Sequence, residues 1–132
     1  WTHIFDPLDR AISHLHTVST SFDRRAALLS AELAQTRIPW WQWRRRARLF
    51  RQVKAVNKGY KLLERQFLYA PGLDGRSWFK HVVFAPGKWT GYAGATFPGI
   101  VEAVEERDWA GAGKWVGIVT GVVYRAAGSL EG

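Results

Sequence analysis

The residue types that could carry chemistry in this 132-residue chain are few and dispersed. There are four histidines and no cysteine, which excludes disulfides and thiolate metal sites. His14 and His16 lie two residues apart on a predicted helix and point away from each other, which disfavours a shared metal ion. Residues 87–94 are rich in glycine but lack the Lys-Ser/Thr pair of a phosphate-binding loop. We therefore expect no catalytic residue, no metal site and no cofactor in this chain.

The strongest chemical feature is a concentration of positive charge. The formal net charge is +8, and residues 37–65 alone carry +9. Bases beside tryptophans can hold phosphate backbones or an anionic lipid surface, whereas the competing interpretation is a solvated helix face with bases spread around the axis. The basic patch consists of Arg44, Arg45, Arg46, Arg48, Arg51, Lys54, Lys58 and Lys61. Trp40, Trp41 and Trp43 precede it and suit either an interface or local packing at a turn.

Two long helices must position these residues. Apolar residues recur every three or four positions from Leu8 to Leu33, after Asp6-Pro7, which predicts a first helix ending near Gln35. A second helix begins within Trp40–Trp43 and carries a similar stripe from Leu49 to Phe67. The short link between them predicts an antiparallel hairpin whose two stripes face each other. Gly59, inside the second helix, marks the close approach of another backbone.

The rest of the chain predicts a long excursion followed by two more helices. Between Tyr69 and Thr96 the helical period stops, and Ser77–Phe84 has the residues of a short extended piece. A short helix follows from Pro98, and a fourth runs from Asp108 to about Ser129. The expected fold is all-α: one domain, residues 1–132, forming an antiparallel four-helix bundle with a long irregular loop between helices two and three. No run is long and apolar enough to span a bilayer.

Several motifs resemble one known family. The resemblance covers nearly the whole chain, and its specific part lies between Asn57 and Ile100. The residues that carry it are Asn57, Leu63-Glu64-Arg65-Gln66-Phe67, Gly72-Leu73, Arg76, Phe79-Lys80-His81-Val82-Val83-Phe84-Ala85-Pro86 and Tyr92-Ala93-Gly94-Ala95-Thr96-Phe97-Pro98-Gly99-Ile100. Together they resemble the C-terminal dimerisation domain of the transferrin receptor and glutamate carboxypeptidase II family.

The resemblance implies a partner and a parent protein. It implies a homodimerising, non-catalytic domain that accompanies a zinc peptidase domain and an apical domain, with zinc bound only in the peptidase domain. It also implies a loop that reaches the parent's substrate pocket, where Tyr92 matches a substrate-binding tyrosine and Gly91 stands in place of a lysine. The family suggests the extracellular or lumenal side of a membrane-anchored parent. The absence of an initial Met predicts that the chain is a piece of a longer protein.

Three functions remain open from the sequence. The first is a dimerisation domain, with Trp40, Trp41, Trp43 and the glycines Gly113, Gly117 and Gly121 as interface candidates. The three glycines lie on one face of the fourth helix, where they permit close packing either inside the bundle or across the dimer. The alternative is a basic helical module that binds nucleic acid or an anionic membrane. A free-standing enzyme is the weakest, since no site of the needed kind is visible.

Overall fold

The computed structural model describes residues 3–35, 37–88 and 94–131. Within these ranges there are four α-helices: α1 (Asp6–Gln35), α2 (Trp43–Leu63), α3 (Pro98–Glu105) and α4 (Trp109–Glu131). Single 3-10 turns, Trp40–Gln42 and Glu64–Phe67, flank α2. Two short strands, β1 (Phe84–Pro86) and β2 (Gly94–Thr96), pair in antiparallel fashion with Ala85 opposite Ala95. The chain is therefore mostly helical, as predicted, with a small sheet that was not expected.

Local sequence signals place the helix ends. Asp108 caps α4, because its Oδ1 accepts a hydrogen bond from the Gly111 amide at 2.9 Å. Pro39 keeps an extended backbone with ψ of 152° and separates α1 from α2. The predicted extended piece at Ser77–Phe84 is displaced, since the strand begins at Phe84. Leu68 and His81 form only an isolated bridge before it.

The centre of the core is α4. Its buried side chains include Trp115, Val119, Val122 and Ala126, as its apolar spacing predicted. The α3 helix turns directly back onto it, because Gly99 lies against the Trp115 indole. Around this helix the structure assembles one large apolar cluster, and a smaller one joins Val18 and Phe22 of α1 to Ala127 and Leu130 of α4.

The direction of the helices corrects the antiparallel expectation. Ile4, just before α1, lies beside Gly113 near the start of α4. Arg25, far along α1, donates to the carbonyl oxygen of Leu130 at 3.4 Å, near the end of α4. The two helices therefore run parallel. After α2 the chain continues in the same direction, since Gln66 lies beside Arg125 and Asp74 beside Lys114, and the eight-residue α3 is too short to cross back before α4 begins.

The hairpin of α1 and α2 is antiparallel, as predicted, but its stripes face each other only in part. Tyr60 of α2 donates to Asp23 Oδ1 at 2.7 Å, and Arg45 contacts Glu32 at 3.3 Å. The hydrogen bond to Asp23 stabilises the neutral phenol and raises the pKa of Tyr60. The only fully buried residue of α2 is Leu49.

The first half of α1 packs chiefly on α4 rather than on α2. Its buried positions are Leu8, Ala11, Val18 and Phe22, whereas Ile12 and Leu33 of the predicted stripe are 40% and 41% exposed. The apolar contact surface therefore passes through Ala11 and Val18, which the sequence stripe left out.

Candidate functional site

Most of the bases of α2 lie toward one side of the helix. At 100° per residue, six of them fall within an arc of about 140° around the helix axis. We call this set the basic face: Arg44, Arg48, Arg51, Lys54, Lys58 and Lys61. All six are exposed and lie opposite the side that contains the buried Leu49. The spacing predicts that Arg44, Arg48 and Arg51 align, and Lys54, Lys58 and Lys61, which were expected to spread, fall within the same arc.

The other two bases of the patch are set apart from the basic face. Arg45 turns toward α1, where its guanidinium pairs with Glu32. Arg46 is exposed but lies outside the arc that contains the basic face. In the described part of the chain, no acid lies within ion-pair distance of the six bases of the basic face. Their charge is thus not neutralised by the chain's own carboxylates there.

Three tryptophans form the end of the hairpin, which we call the tryptophan tip. Trp40, Trp41 and Trp43 are 81%, 64% and 63% exposed. The rings of Trp40 and Trp41 meet edge to face at 6.0 Å, and the Arg44 guanidinium lies 5.3 Å from the Trp43 ring centroid. These contacts leave most of each indole exposed, so packing at the turn does not explain why three tryptophans lie there.

The glycine face of α4 is open. Among the described residues, a Cβ added at Gly117 or Gly121 would meet no atom within 4 Å, and one at Gly113 would meet only Ile4 Cδ1 at 4.0 Å. Within the described part of the chain, no helix packs on this face. Of the two uses that the sequence left open, close packing inside the bundle is therefore wrong.

A groove of about 810 Å³ lies between α1, α2 and the end of α4. Apolar side chains line much of it, among them Phe22, Leu29, Val56 and Leu130. Gly59 is also at its wall, where an added Cβ would lie 2.5 Å from Phe22 Cζ. Gly59 thus marks a close approach, but to a phenyl ring rather than to a backbone. Sequence reasoning missed the groove, and Gly59 was the only signal of it.

Gly91 and Tyr92 lie outside the described residues, which hold only the flanks of that segment. Pro86 pairs with Gly94 in the sheet register. The buried Arg76 donates to the Pro86 carbonyl oxygen at 2.7 Å and also pairs with Glu102 of α3. Its guanidinium lies 5.3 Å from the Phe79 ring centroid. Arg76 therefore fixes the end of β1, a role that sequence reasoning missed.

Among the described residues, three histidines form separate pairs with acids rather than a cluster. His14 pairs with Glu131 and His81 with Glu64, each at 3.0 Å. In the described residues, no group of three or more His, Cys, Asp or Glu side chains is placed to hold a metal ion. Among these residues, too, no helix combines the length and hydropathy needed to cross a membrane.

Comparison with known proteins agrees with the motifs. A family model described as transferrin receptor-like dimerisation domain matches residues 3–131. A "Probable glutamate carboxypeptidase" from Arthroderma benhamiae is 35% identical over 78 residues, 59% of this chain and 11% of that protein. "Vacuolar protein sorting-associated protein 70" from Saccharomyces cerevisiae is 27% identical over 90 residues, 68% of this chain and 11% of that protein.

A third relative, "Probable glutamate carboxypeptidase AMP1" from Arabidopsis thaliana, is 39% identical over 51 residues, 39% of this chain and 7% of that protein. The chain thus matches about a tenth of the length of these relatives or less. The family resemblance, by contrast, extends over nearly every residue of the chain. The match over residues 3–131 shows that this chain belongs to the transferrin receptor-like dimerisation domain family.

Proposed function

We propose that this chain is a non-catalytic homodimerisation domain and that two copies pair through the glycine face of α4. The family supports self-association. The glycine face supports the place, because Gly117 and Gly121 are open and let a partner helix approach closely. In this proposal α4, the central helix of the core, reaches the protein surface along its glycine face.

The tryptophan tip is the weaker of the two interface candidates. It begins the same helix that carries the basic face, and Arg44 lies over Trp43. Two copies that met at their tips in a two-fold dimer would bring like charges together, which opposes pairing. On the glycine face the neighbouring cations are already engaged: Lys114 pairs with Asp74, and Arg125 donates to the Leu68 carbonyl oxygen at 2.6 Å. Electrostatics therefore favours the glycine face.

The parent protein in this proposal is a glutamate carboxypeptidase-like peptidase or receptor. Its peptidase domain, which would bind the zinc, and its apical domain would pack against this one. The relatives' names support the class of parent. The segment with Gly91 and Tyr92 would reach the parent's substrate pocket, and Arg76 would position it by holding Pro86. With Gly91 in place of a lysine, the parent would lack one cation for a glutamate carboxylate.

The proposed interface is tested by the mass in solution. Light scattering on a size-exclusion column should give about twice the 15.0 kDa chain mass. Gly117→Leu with Gly121→Leu should give a folded monomer, because the added side chains meet open space in one copy but block a second helix. Thr20→Leu with Ala31→Leu places the same two leucines at exposed positions of α1 and should stay dimeric.

Two results would contradict the proposal. A wild-type monomer at high micromolar concentration would remove intrinsic dimerisation. A glycine-face variant that stays dimeric would move the interface elsewhere, and the tryptophan tip would then be the next surface to vary.

A further inference from the structure

Among the described residues, the hairpin of α1 and α2 extends beyond the last turn of α4. The α4 helix ends at Glu131, and Leu130 lies beside Arg25 of α1. Ten further residues of α1, Ala26–Gln35, continue past that point, a length of about 15 Å at 1.5 Å per residue. Within the described residues, the tryptophan tip is therefore the far end of the α1–α2 hairpin, about 15 Å past Leu130 along α1.

Large apolar side chains are exposed at this end. Besides the tryptophan tip, Phe50 is 70% exposed, and it lies two turns after Trp43 on nearly the same side of α2. Tryptophan is enriched where membrane meets water, because its ring is apolar and its N–H remains hydrated. A convex group of indoles can enter the headgroup region of a bilayer. Single-stranded nucleic acid instead stacks its nucleobases on aromatic rings that line a groove.

The basic face supplies the complementary charge. It runs from Arg44 to Lys61 along one side of α2, about 26 Å at 1.5 Å per residue. Residues 37–65 carry +9 while the rest of the chain carries −1, so the positive potential is concentrated on the hairpin. Each base near an anionic membrane surface contributes about a fivefold gain in binding. Like charges disfavour a second copy of this hairpin as the occupant.

We propose that the tryptophan tip and the basic face dock this protein onto an anionic lipid bilayer. Trp40, Trp41 and Trp43 enter the headgroup region, and the bases of the first turns of α2 lie against lipid phosphates and carboxylates. This binding does not depend on dimerisation, because one hairpin carries both the aromatic rings and the charge. A dimer whose two hairpins point to the same side would bind more tightly.

Vesicle flotation with the 132-residue chain tests the proposal. The protein should bind vesicles that contain phosphatidylcholine and phosphatidylserine in a ratio of about 3:1, and it should dissociate from them as the salt concentration is raised. It should not bind vesicles of phosphatidylcholine alone. Arg48→Glu with Arg51→Glu, both in the first turns of α2, should lower vesicle partitioning at least about 25-fold, from about fivefold per base. Arg10→Glu with Arg24→Glu makes the same change of charge on α1 and should lower vesicle partitioning by less than about fivefold.

The aromatic contribution is tested separately. Trp40→Ala with Trp41→Ala should weaken vesicle binding at least about tenfold, because buried indole surface is lost. Trp78→Ala removes an indole that is equally exposed but lies outside the hairpin, and it should change little.

Four results would overturn the proposal. These are binding without preference for anionic lipid, an equal loss in the α1 charge control, and full binding by the tip variant. The fourth is tighter binding to duplex or single-stranded DNA than to vesicles with the same dependence on both surfaces, which would assign a nucleic-acid site. Light scattering on every variant gives a further check, since a tip variant that becomes a monomer would make the tip a dimer interface.

Discussion

Replacing Gly99 with alanine should destabilise this protein, although the same change elsewhere in a helix should stabilise it. Gly99 is the second residue of α3, and an added Cβ would lie 2.7 Å from both Cγ and Cε3 of the Trp115 indole. Real Cβ atoms essentially never come that close. Either α3 or the indole must therefore move.

The indole has little freedom to move. Trp115 is 1% exposed, its Nε1 donates to Asp74 Oδ2 at 2.8 Å, and the Tyr69 ring packs against it edge to face at 5.8 Å. Overpacking a core of this kind costs about 1–3 kcal/mol. We expect Gly99→Ala to lower the free energy of unfolding by about 2 kcal/mol, which for a chain of this size lowers the Tm by about 6–10 °C.

Gly117→Ala is the matched control. Its Cβ meets no atom of the described residues within 4 Å, so alanine should gain about 1 kcal/mol of helix propensity and raise the Tm by about 3–5 °C. Both variants are melted by circular dichroism over a series of protein concentrations, and the comparison is made where the protein is monomeric. If Gly99→Ala melts at or above the wild-type temperature, α3 does not pack on Trp115 as described. If Gly117→Ala lowers the monomer's Tm, that face of α4 is covered.

Three further outcomes are expected. Leu15→Asp should lower the free energy of unfolding in urea by about 3 kcal/mol, because Leu15 packs against both apolar clusters. Ile12→Asp, at a position that is 40% exposed, should lower it by less than about 1 kcal/mol. Equal losses would support the stripe predicted from the sequence. The hydrogen bond from Trp115, with Lys114 nearby, lowers the pKa of Asp74. The stability contributed by the Asp74 carboxylate should therefore be complete above about pH 4 and lost as pH falls through the lowered pKa. Asp74→Asn should flatten the acid side of a plot of Tm against pH, and an unchanged plot would contradict this contribution. Isothermal titration of the chain with zinc should show no tight site, and chelator-sensitive peptidase activity in pure protein would contradict a non-catalytic domain.

Local signals in the sequence were enough to locate the helices. The ends of α1, the start of α2 and the Asp108 cap follow from apolar spacing, proline restriction and side-chain capping, which act within a few residues. The motifs between Asn57 and Ile100 gave the family, and this resemblance is confirmed over residues 3–131. The short strand pair escaped notice because three-residue strands carry too little periodicity to be recognised.

What the sequence determined by itself is the helical content, the uneven charge and the family, because composition, periodicity and motifs are properties of the chain. Only the tertiary structure decided that α1 runs parallel to α4, and so that Ala11 and Val18 are buried while Ile12 is not. It also decided that Leu130 lies beside Arg25, that the tryptophan tip is exposed, and that no described residue covers Gly117 or Gly121. Each of these depends on which helix lies beside a given face, and that is set by contacts between residues far apart in the chain rather than by neighbours along it.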